Sequence, residues 1–243
     1  MNTVIIVQAR MTSTRLPGKI LMQVLGKPLL AYLVERLRRV RLADRVVIAT
    51  TTNDSDLPVL ALCEQLQVDC VRGPEHDVLA RYDLAARAHG ADLVVRITSD
   101  CPLLDPAVVD DAIALYQAGG ADYVSNALRP GYPLGMAVEV LSAALLARTA
   151  AEARAPEERE HVTPFIYRRP DRFRIGHLER ETAHGSERWT VDTAQDFELV
   201  RRILEAIYPS TPAFTMHDVL ALLDRHPHWR DINASVQQKT LGQ

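Results

Sequence analysis

Residues 4–19 have the sequence VIIVQARMTSTRLPGK. The four apolar residues at its start are all β-branched, which predicts a strand that is buried on both faces. A polar loop follows directly, and it carries Arg10, Arg15 and Lys19 together with the turn-forming pair Pro17-Gly18. The first 34 residues include no Asp or Glu, although acidic residues outnumber basic ones over the whole chain. We therefore expect this loop to bind a negatively charged group.

The basic loop suits the phosphates of a nucleotide triphosphate. A guanidinium can bind two phosphate oxygens at once, and a lysine adds a compact charge. The loop is not a P-loop, because Gly18-Lys19 is followed by Ile20 and no glycine stands where the Walker pattern needs one. No GxGxxG motif follows the first strand, which disfavours a dinucleotide site. A solvated loop without a ligand is the alternative interpretation.

Composition limits the class of protein. The 243 residues are 47% hydrophobic, which suits one large domain or one domain with a small accessory part. The net charge of −3 argues against a nucleic-acid partner and favours a small anionic ligand. Cys63, Cys70 and Cys101 form no CxxC pair, which disfavours a disulfide framework or a zinc site. No apolar run is long enough for a signal peptide or a membrane span, so we expect a soluble, cytoplasmic protein without membrane contact.

Apolar periodicity predicts strands and helices that alternate in the first half of the chain, which is typical of a parallel sheet with helices on both faces. Strands are predicted at residues 4–7, 46–49, 68–71, 93–97, 122–125, 137–141, 173–178 and 189–191. Helices are predicted at residues 28–40, 56–66, 77–89, 107–117, 143–154, 157–168, 194–208 and 216–224. We interpret residues 1–208 as the main domain and residues 209–243 as a small C-terminal helical extension.

Polar residues follow several of the predicted strands, and the carboxyl ends of parallel strands share one edge of the sheet. Ligands of open parallel sheets bind at that edge. Asp100 follows the fourth strand and Asp192 follows the last one. Two carboxylates together with a triphosphate would meet the preference of Mg²⁺ for oxygen ligands. A turn residue and a helix N-cap are the alternative interpretations of these two aspartates.

Seven segments of the chain carry recognisable motifs, namely residues 7–19, 72–73, 77–82, 96–102, 122–126, 158–164 and 188–192. These motifs closely resemble those of the spore-coat-polysaccharide cytidylyltransferase-like family, which is related to the CMP-Kdo and CMP-acylneuraminate synthetases. The resemblance spans about residues 3–208. It implies a nucleotide-diphospho-sugar transferase fold, which is a Rossmann-like α/β sheet with an inserted β excursion. Residues 1–208 would then be the nucleotidyltransferase domain.

The resemblance also implies an activity, namely transfer of CMP from CTP to a sugar hydroxyl with release of pyrophosphate. Such a reaction would serve the synthesis of surface polysaccharide or glycan precursors. Relatives bind the triphosphate with the opening loop and use a magnesium ion, Mg²⁺, on paired aspartates. Relatives also tend to form homodimers, here through the excursion at about residues 126–185. Carried over to this sequence, the catalytic residues are Arg15, Lys19, Asp100 and Asp192. The candidate nucleotide-binding residues are Gln8, Ala9, Arg10, Arg15, Lys19, Thr51, Gly73 and Thr98. Of these, the resemblance maps Arg10, Arg15 and Lys19 onto the triphosphate-binding loop, and Gln8, Ala9 and Thr51 are placed to read the cytosine base.

The acceptor sugar is less constrained by the sequence. CMP-Kdo synthetases have Gln-Gly-Asp where this chain has Thr98-Ser99-Asp100, so only the aspartate carries over. Asn126, Glu139, Glu160 and His161 are candidate acceptor-binding residues, each of which is also plausible as a surface or structural residue. We expect an acidic sugar, whose carboxylate Arg129 or Arg159 could bind.

Two other functions are compatible with the pattern. The first is a different sugar-nucleotide enzyme of the same fold, either a nucleotidyltransferase that uses another NTP or a glycosyltransferase. The basic loop favours a triphosphate over a nucleotide sugar, because the latter carries less negative charge. The second is a non-catalytic nucleotide-binding module, against which the presence of both aspartates and all three basic residues argues.

Overall fold

The computed structural model describes residues 1–129, 131–180 and 184–238. Residue 130, residues 181–183 of the expected excursion and residues 239–243 of the expected extension lie outside this description. The strands are β1 (Thr3–Gln8), β2 (Gln23–Val24), β3 (Lys27–Pro28), β4 (Arg45–Thr51), β5 (Asp69–Gly73), β6 (Leu93–Thr98), β7 (Tyr123–Ser125), β8 (Glu139–Ser142) and β9 (Ile175–His177). The helices are α1 (Leu29–Leu37), α2 (Leu57–Leu66), α3 (Val78–Ala88), α4 (Pro106–Gln117), α5 (Ala143–Glu152), α6 (Pro156–His161), α7 (Pro164–Tyr167), α8 (Ala194–Ile207) and α9 (Met216–Arg225).

The central feature of the described part is a seven-stranded sheet with the order β5-β4-β1-β6-β8-β7-β9. Strand β1 pairs in parallel with both β4 and β6, so the carboxyl ends of these three strands lie side by side. Strand β8 runs antiparallel between β6 and β7, and β9 is parallel to β7. This mixed, mostly parallel sheet is the α/β fold class predicted from the sequence, which is thereby confirmed.

Strand β1 lies at the centre because both of its faces are apolar. Its residues Val4 to Val7 are completely buried. Ile5 and Val7 pack into a core with residues of α1, α4, α8 and α9. Val4 and Ile6 pack on the opposite face with residues of α3, α5 and α7. The helices therefore cover both faces of the sheet, as expected for parallel strands that form continuous apolar runs.

The segment at residues 126–185 contributes β8 and β9 to this same sheet and adds helices α5, α6 and α7. The single helix predicted at residues 157–168 is wrong, because the chain breaks between α6 and α7 at Val162. Val162 has φ 73° and ψ −55°, and the Thr163 amide donates to the His161 carbonyl at 2.9 Å. This is a strained γ-turn. Pro164 favours the break, because it has no backbone N–H with which to continue the hydrogen bonding of α6.

The strand predicted at residues 189–191 is also wrong. This segment is extended, but it runs alongside loops and not alongside a strand of the sheet. The Trp189 amide donates to the Leu134 carbonyl at 2.7 Å, and the Val191 amide donates to the Asp100 carbonyl at 2.8 Å. The apolar pattern that suggested a strand arises because Trp189 and Val191 are both buried in the larger core.

The C-terminal segment packs against the same core as the strands. Helix α9 begins with a capping box formed by Thr215 and Asp218. Phe214 and the apolar face of α9 are buried together with residues of α1 and α8. Arg36 of α1 is buried beneath this segment and donates to the Phe214 carbonyl at 2.9 Å. Within the described residues, no helix is long and apolar enough to cross a membrane.

Candidate active site

The loop after β1 is closed by its own backbone. The Met11 carbonyl accepts from the amides of Ser13 and Gly18, at 3.0 and 2.9 Å. Gly18 has φ 71°, a left-handed conformation that glycine adopts without a steric penalty. A short 3₁₀ helix, Lys19–Leu21, begins immediately afterwards. The turn therefore directs the chain back so that Lys19 lies over the carboxyl edge of the sheet.

The four residues predicted to be catalytic lie in one cluster. The Lys19 ammonium is 3.1 Å from Asp100 Oδ2 and 2.8 Å from Asp192 Oδ1. Arg15 Nη2 is 2.8 Å from the other oxygen, Asp192 Oδ2. The two cations and two carboxylates come from three separate parts of the chain. The structure thus brings together residues that the sequence separates by more than 170 positions.

Lys19 and Asp100 are both ionised at neutral pH despite their burial. Burial by itself lowers the pKa of Lys19, but the Asp100 and Asp192 carboxylates more than offset this and raise it overall. Burial by itself raises the pKa of Asp100, but the Lys19 ammonium and the Thr98 hydroxyl lower it overall. Thr98 Oγ1 donates to Asp100 Oδ1 at 2.6 Å. The predicted site residue Thr98 therefore orients the carboxylate of Asp100.

Asp192 is fixed by two residues that the sequence interpretation missed. Arg188 Nη2 donates to Asp192 Oδ2 at 3.0 Å, and Arg188 Nε donates to Asp196 Oδ1 at 2.8 Å. Asp196 Oδ2 accepts from the Asp192 amide at 3.0 Å and also forms the capping box of α8 with Thr193. The pattern Thr193-x-x-Asp196 at a helix start was the signal that could have identified Asp196.

The donor set of this cluster fits a divalent cation such as Mg²⁺. Lys19 contacts both carboxylates, so a single cation at that position can contact Asp100 and Asp192 at once. Within the described ranges, no group of three or more His, Cys, Asp or Glu side chains could bind a metal by itself. Mg²⁺ commonly completes its octahedron with substrate phosphates and water, so two carboxylates suffice for such a site.

The remaining predicted nucleotide-binding residues lie at the ends of β1 and β5 or in the basic loop. Gln8 Oε1 accepts from Arg96 Nη2 at 3.2 Å, and the Ala9 amide donates to the Ala49 carbonyl at 3.0 Å. Arg10 is about one third exposed and lies 3.8 Å from Glu160 Oε1. Gly73 ends β5, and a Cβ there would meet the Arg81 side chain at 2.8 Å.

Thr51, also predicted to bind the nucleotide, is fully buried and donates its hydroxyl to Asp56. Asp56 is a further residue that the sequence interpretation missed. Its carboxylate accepts from the Met11 amide at 2.8 Å, from Thr50 Oγ1 at 3.1 Å and from the Thr51 amide at 3.2 Å. Because Met11 closes the basic loop, Asp56 anchors that loop to the end of β4.

Replacing Asp56 with Asn is expected to lower the free energy of unfolding by about 2–3 kcal/mol, because an amide group would face several donors that now share one carboxylate. Chemical denaturation of the purified variant would measure this loss. Asp54→Asn is the matched control, since Asp54 and Asp56 both belong to the short 3₁₀ helix Asp54–Asp56 but Asp54 is exposed. An Asp56→Asn protein as stable as the Asp54→Asn protein would contradict the anchoring role.

The predicted acceptor residues differ in their surroundings. Asn126 is buried, and its side-chain amide bonds to the backbone twice. Nδ2 donates to the Met136 carbonyl at 2.7 Å, and Oδ1 accepts from the Val138 amide at 2.8 Å. Glu139 is buried and is bonded by Arg96, Tyr123 and Thr163. The side chains of Asn126 and Glu139 are therefore engaged within the protein.

Glu160 and His161 lie at the end of α6, next to the strained turn at Val162. Glu160 is more than half exposed and faces Arg10 of the basic loop. Burial lowers the pKa of His161, an effect that the Glu160 carboxylate only partly offsets, so the imidazole is neutral at pH 7. The two arginines considered for a sugar carboxylate both have acidic partners, since Arg129 bonds to Glu179 and Arg159 bonds to Asp77.

This site geometry can be compared with known proteins. A model of the cytidylyltransferase family matches residues 4–215. The chain belongs to this family. The spore coat polysaccharide biosynthesis protein SpsF of Bacillus subtilis is 32% identical over 93% of this chain and 96% of that protein. The structure of a cytidylyltransferase from Leptospira borgpetersenii superimposes with a TM-score of 0.90 at 28% identity, covering 99% of this chain and 100% of that one.

A further relative is similar over slightly less than half of each chain. The 3-deoxy-manno-octulosonate cytidylyltransferase of Geobacter sulfurreducens is 36% identical over 114 residues, which are 47% of this chain and 45% of that protein. Together with the family match, these similarities confirm the family and the enzyme class that the sequence motifs predicted, a nucleotidyltransferase of the cytidylyltransferase family.

Proposed function

We propose that this cytidylyltransferase transfers CMP from CTP to the hydroxyl of an acidic sugar, with release of pyrophosphate and with Mg²⁺ as its cofactor. The observation that carries this proposal is the cluster in which Lys19 bonds to both Asp100 and Asp192 while Arg15 bonds to Asp192. It provides cations for phosphate oxygens and carboxylates for a divalent ion. The names of the relatives, which refer to polysaccharide synthesis and to a sugar acid, support the class of acceptor.

In this mechanism the basic loop binds the triphosphate. The cations of Arg10, Arg15 and Lys19 offset the charge of the phosphate oxygens, and the loop backbone adds donors. Asp100 and Asp192 would bind Mg²⁺, which supplies charge neutralisation at the reacting phosphate when it is present. As the sugar hydroxyl attacks the α-phosphorus in line, negative charge grows on the departing pyrophosphate. Arg15 and Lys19 stabilise that charge, and such fixed charges are the main source of catalysis in phosphoryl transfer.

The acceptor would bind on the α6 side of the basic loop. Arg10 lies 3.8 Å from Glu160, so the end of α6 borders the proposed triphosphate site. The neutral imidazole of His161 can donate to, or accept from, a sugar hydroxyl. Glu139 and Arg96 neutralise each other beside it, and Arg96 fixes the amide of Gln8. We also propose that the protein is a homodimer joined through residues 126–185.

A pyrophosphate-release screen tests the proposal. CTP, UTP, GTP and ATP would each be combined with Mg²⁺ and with 2-keto-3-deoxy sugar acids, nonulosonic acids or neutral hexoses. We expect release only with CTP and with a member of the acidic classes. CTP with Mg²⁺ should also raise the melting temperature, because it binds only the folded protein. Equal turnover of UTP, or no stabilisation by CTP, would contradict the proposal.

A further inference from the structure

The family model ends at residue 215, but the chain beyond it returns to the candidate site. The 3₁₀ helix Pro227–Ile232 packs near α8 and ends at Asn233, which is buried. Asn233 Nδ2 donates to the Arg188 carbonyl and to Asp196 Oδ1, both at 2.9 Å. Asn233 therefore contacts both of the residues that fix Asp192, and no contact joins it to Asp192 itself among the described hydrogen bonds.

A second pair of contacts joins the same segment to the side chains of Glu187 and Arg188. Arg230 Nε is 2.6 Å from Glu187 Oε1, and Gln238 Oε1 accepts from Arg188 Nη1 at 2.6 Å. Glu187 and Arg188 are neighbours in the chain, so the C-terminal segment bonds to residues 187–188 at several points. Together with the bonds of Asn233, these contacts leave Arg188 little freedom to turn away from Asp192.

The chemistry of the carboxamide explains why an asparagine serves here. Its one nitrogen offers two N–H donors, and both find acceptors, the Arg188 carbonyl and the Asp196 carboxylate. An aspartate of nearly the same shape could donate neither bond. It would also place a negative charge against Asp196, which is fully buried. The position is thus sensitive to chemistry as well as to size.

We propose that Asn233 is a positioning residue for the cytidylyltransferase reaction. It locks Arg188 and Asp196 in place, and these two residues keep the Asp192 carboxylate directed at the position that Lys19 occupies in the free protein. This inference rests on the proposed function. Partners that orient metal ligands typically contribute 10- to 100-fold to metal affinity or activity. The segment beyond the family model is accordingly part of the active-site support.

The test measures metal binding as well as turnover. Mn²⁺ binding to the full-length protein in the presence of CTP would be followed by electron paramagnetic resonance, and pyrophosphate release would be titrated with Mg²⁺. For Asn233→Asp we expect the Mn²⁺ dissociation constant and the half-saturating Mg²⁺ concentration to rise roughly 10- to 100-fold. Binding of CTP without metal should change little, because Asn233 touches none of the basic residues of the loop.

A control variant separates positioning from general stability. Val219→Ala truncates a fully buried side chain of α9. It should lower the melting temperature while leaving the Mn²⁺ dissociation constant and the half-saturating Mg²⁺ concentration unchanged. If Asn233→Asp behaves like Val219→Ala, with reduced stability and normal metal affinity, the inference is overturned while the proposed function stands. If the wild-type protein binds neither CTP nor Mn²⁺ with CTP, the proposed function fails and the inference fails with it.

Discussion

Asp100→Asn and Asp192→Asn variants should each release pyrophosphate from CTP at least about 1,000-fold more slowly than the wild-type protein, a loss of ~4 kcal/mol of transition-state stabilisation. The reason is that Lys19 bonds to both carboxylates, which shows that both face one cation position. An amide in place of either carboxylate removes a negative charge and a strong oxygen ligand from that position. Steady-state assays with CTP, Mg²⁺ and an accepted sugar would measure the effect.

The two variants should differ in stability, and this difference provides an internal check. Among the residues that the structure describes, Asp192 is bonded by Arg15, Lys19 and Arg188, whereas Asp100 has Lys19 as its single cationic partner. Removing the Asp192 charge leaves more unpaired positive charge in a buried place, so Asp192→Asn should have the lower melting temperature. If both variants lose activity but Asp192→Asn does not have the lower melting temperature, the cation cluster is arranged differently in solution.

Asp110→Asn is the matched control for the active-site aspartates. Asp110 is buried like Asp192 and accepts from the Arg41 and Leu42 amides, both at 2.9 Å, but it lies outside the cluster. We expect this variant to lose stability and to retain near-normal turnover per folded molecule. Near-normal turnover by Asp100→Asn or Asp192→Asn would show that the carboxylates do not have the proposed role.

The sequence was sufficient to predict the half of the sheet that positions the site. Strands β1 and β4 contain continuous apolar runs, and the run in β6 is interrupted by Arg96 alone. Such runs indicate buried parallel strands whatever the rest of the fold contains. Once the strands are parallel, their carboxyl ends must share an edge, so Asp100 had to lie near the basic loop. The inference needed no knowledge of side-chain contacts, which is why it held.

The position of Asp192 in the same cluster does not follow from the apolar periodicity of the sequence. The segment before it is not a strand, and a single backbone bond from Val191 to the Asp100 carbonyl brings the two aspartates together. Gly135 lets a second loop pack against the same segment, because a Cβ there would lie 2.7 Å from the Thr190 nitrogen. Close packing of one loop against another depends on tertiary geometry and leaves no periodic pattern in the sequence.

Buried polar partners were the main omission of the sequence interpretation. The omitted residues are charged or polar, and sequence alone favours exposed positions for such residues. They are Asp56, Arg188, Asp196 and Asn233. Each is buried with hydrogen-bond partners that include at least one residue 37 or more positions away in the sequence. For the same reason the sequence could not show that the side chains of Asn126 and Glu139 are engaged within the protein.

Lys19→Met should have two opposite effects, and their combination is specific to this site. Turnover should fall about 100-fold, because a fixed positive charge next to the departing pyrophosphate is lost. Binding of Mn²⁺ without nucleotide should strengthen roughly tenfold or more, equivalent to ~1.4 kcal/mol. In the free protein the Lys19 ammonium lies 2.8–3.1 Å from both carboxylates, so a divalent cation must displace it before binding. Titration followed by electron paramagnetic resonance would measure the metal affinity.

Lys27→Met is the control for loss of a lysine from the same region of the sequence. Lys27 bonds to Glu35 and Tyr208, away from the carboxylate pair, so its replacement should alter neither metal affinity nor turnover to a comparable degree. Nucleotide phosphates offer Lys19 an alternative partner and would draw it away from Asp100 and Asp192. CTP should therefore strengthen Mn²⁺ binding much more in the wild-type protein than in Lys19→Met. Equal enhancement by CTP in both proteins would refute the idea that Lys19 occupies the cation position until the nucleotide binds.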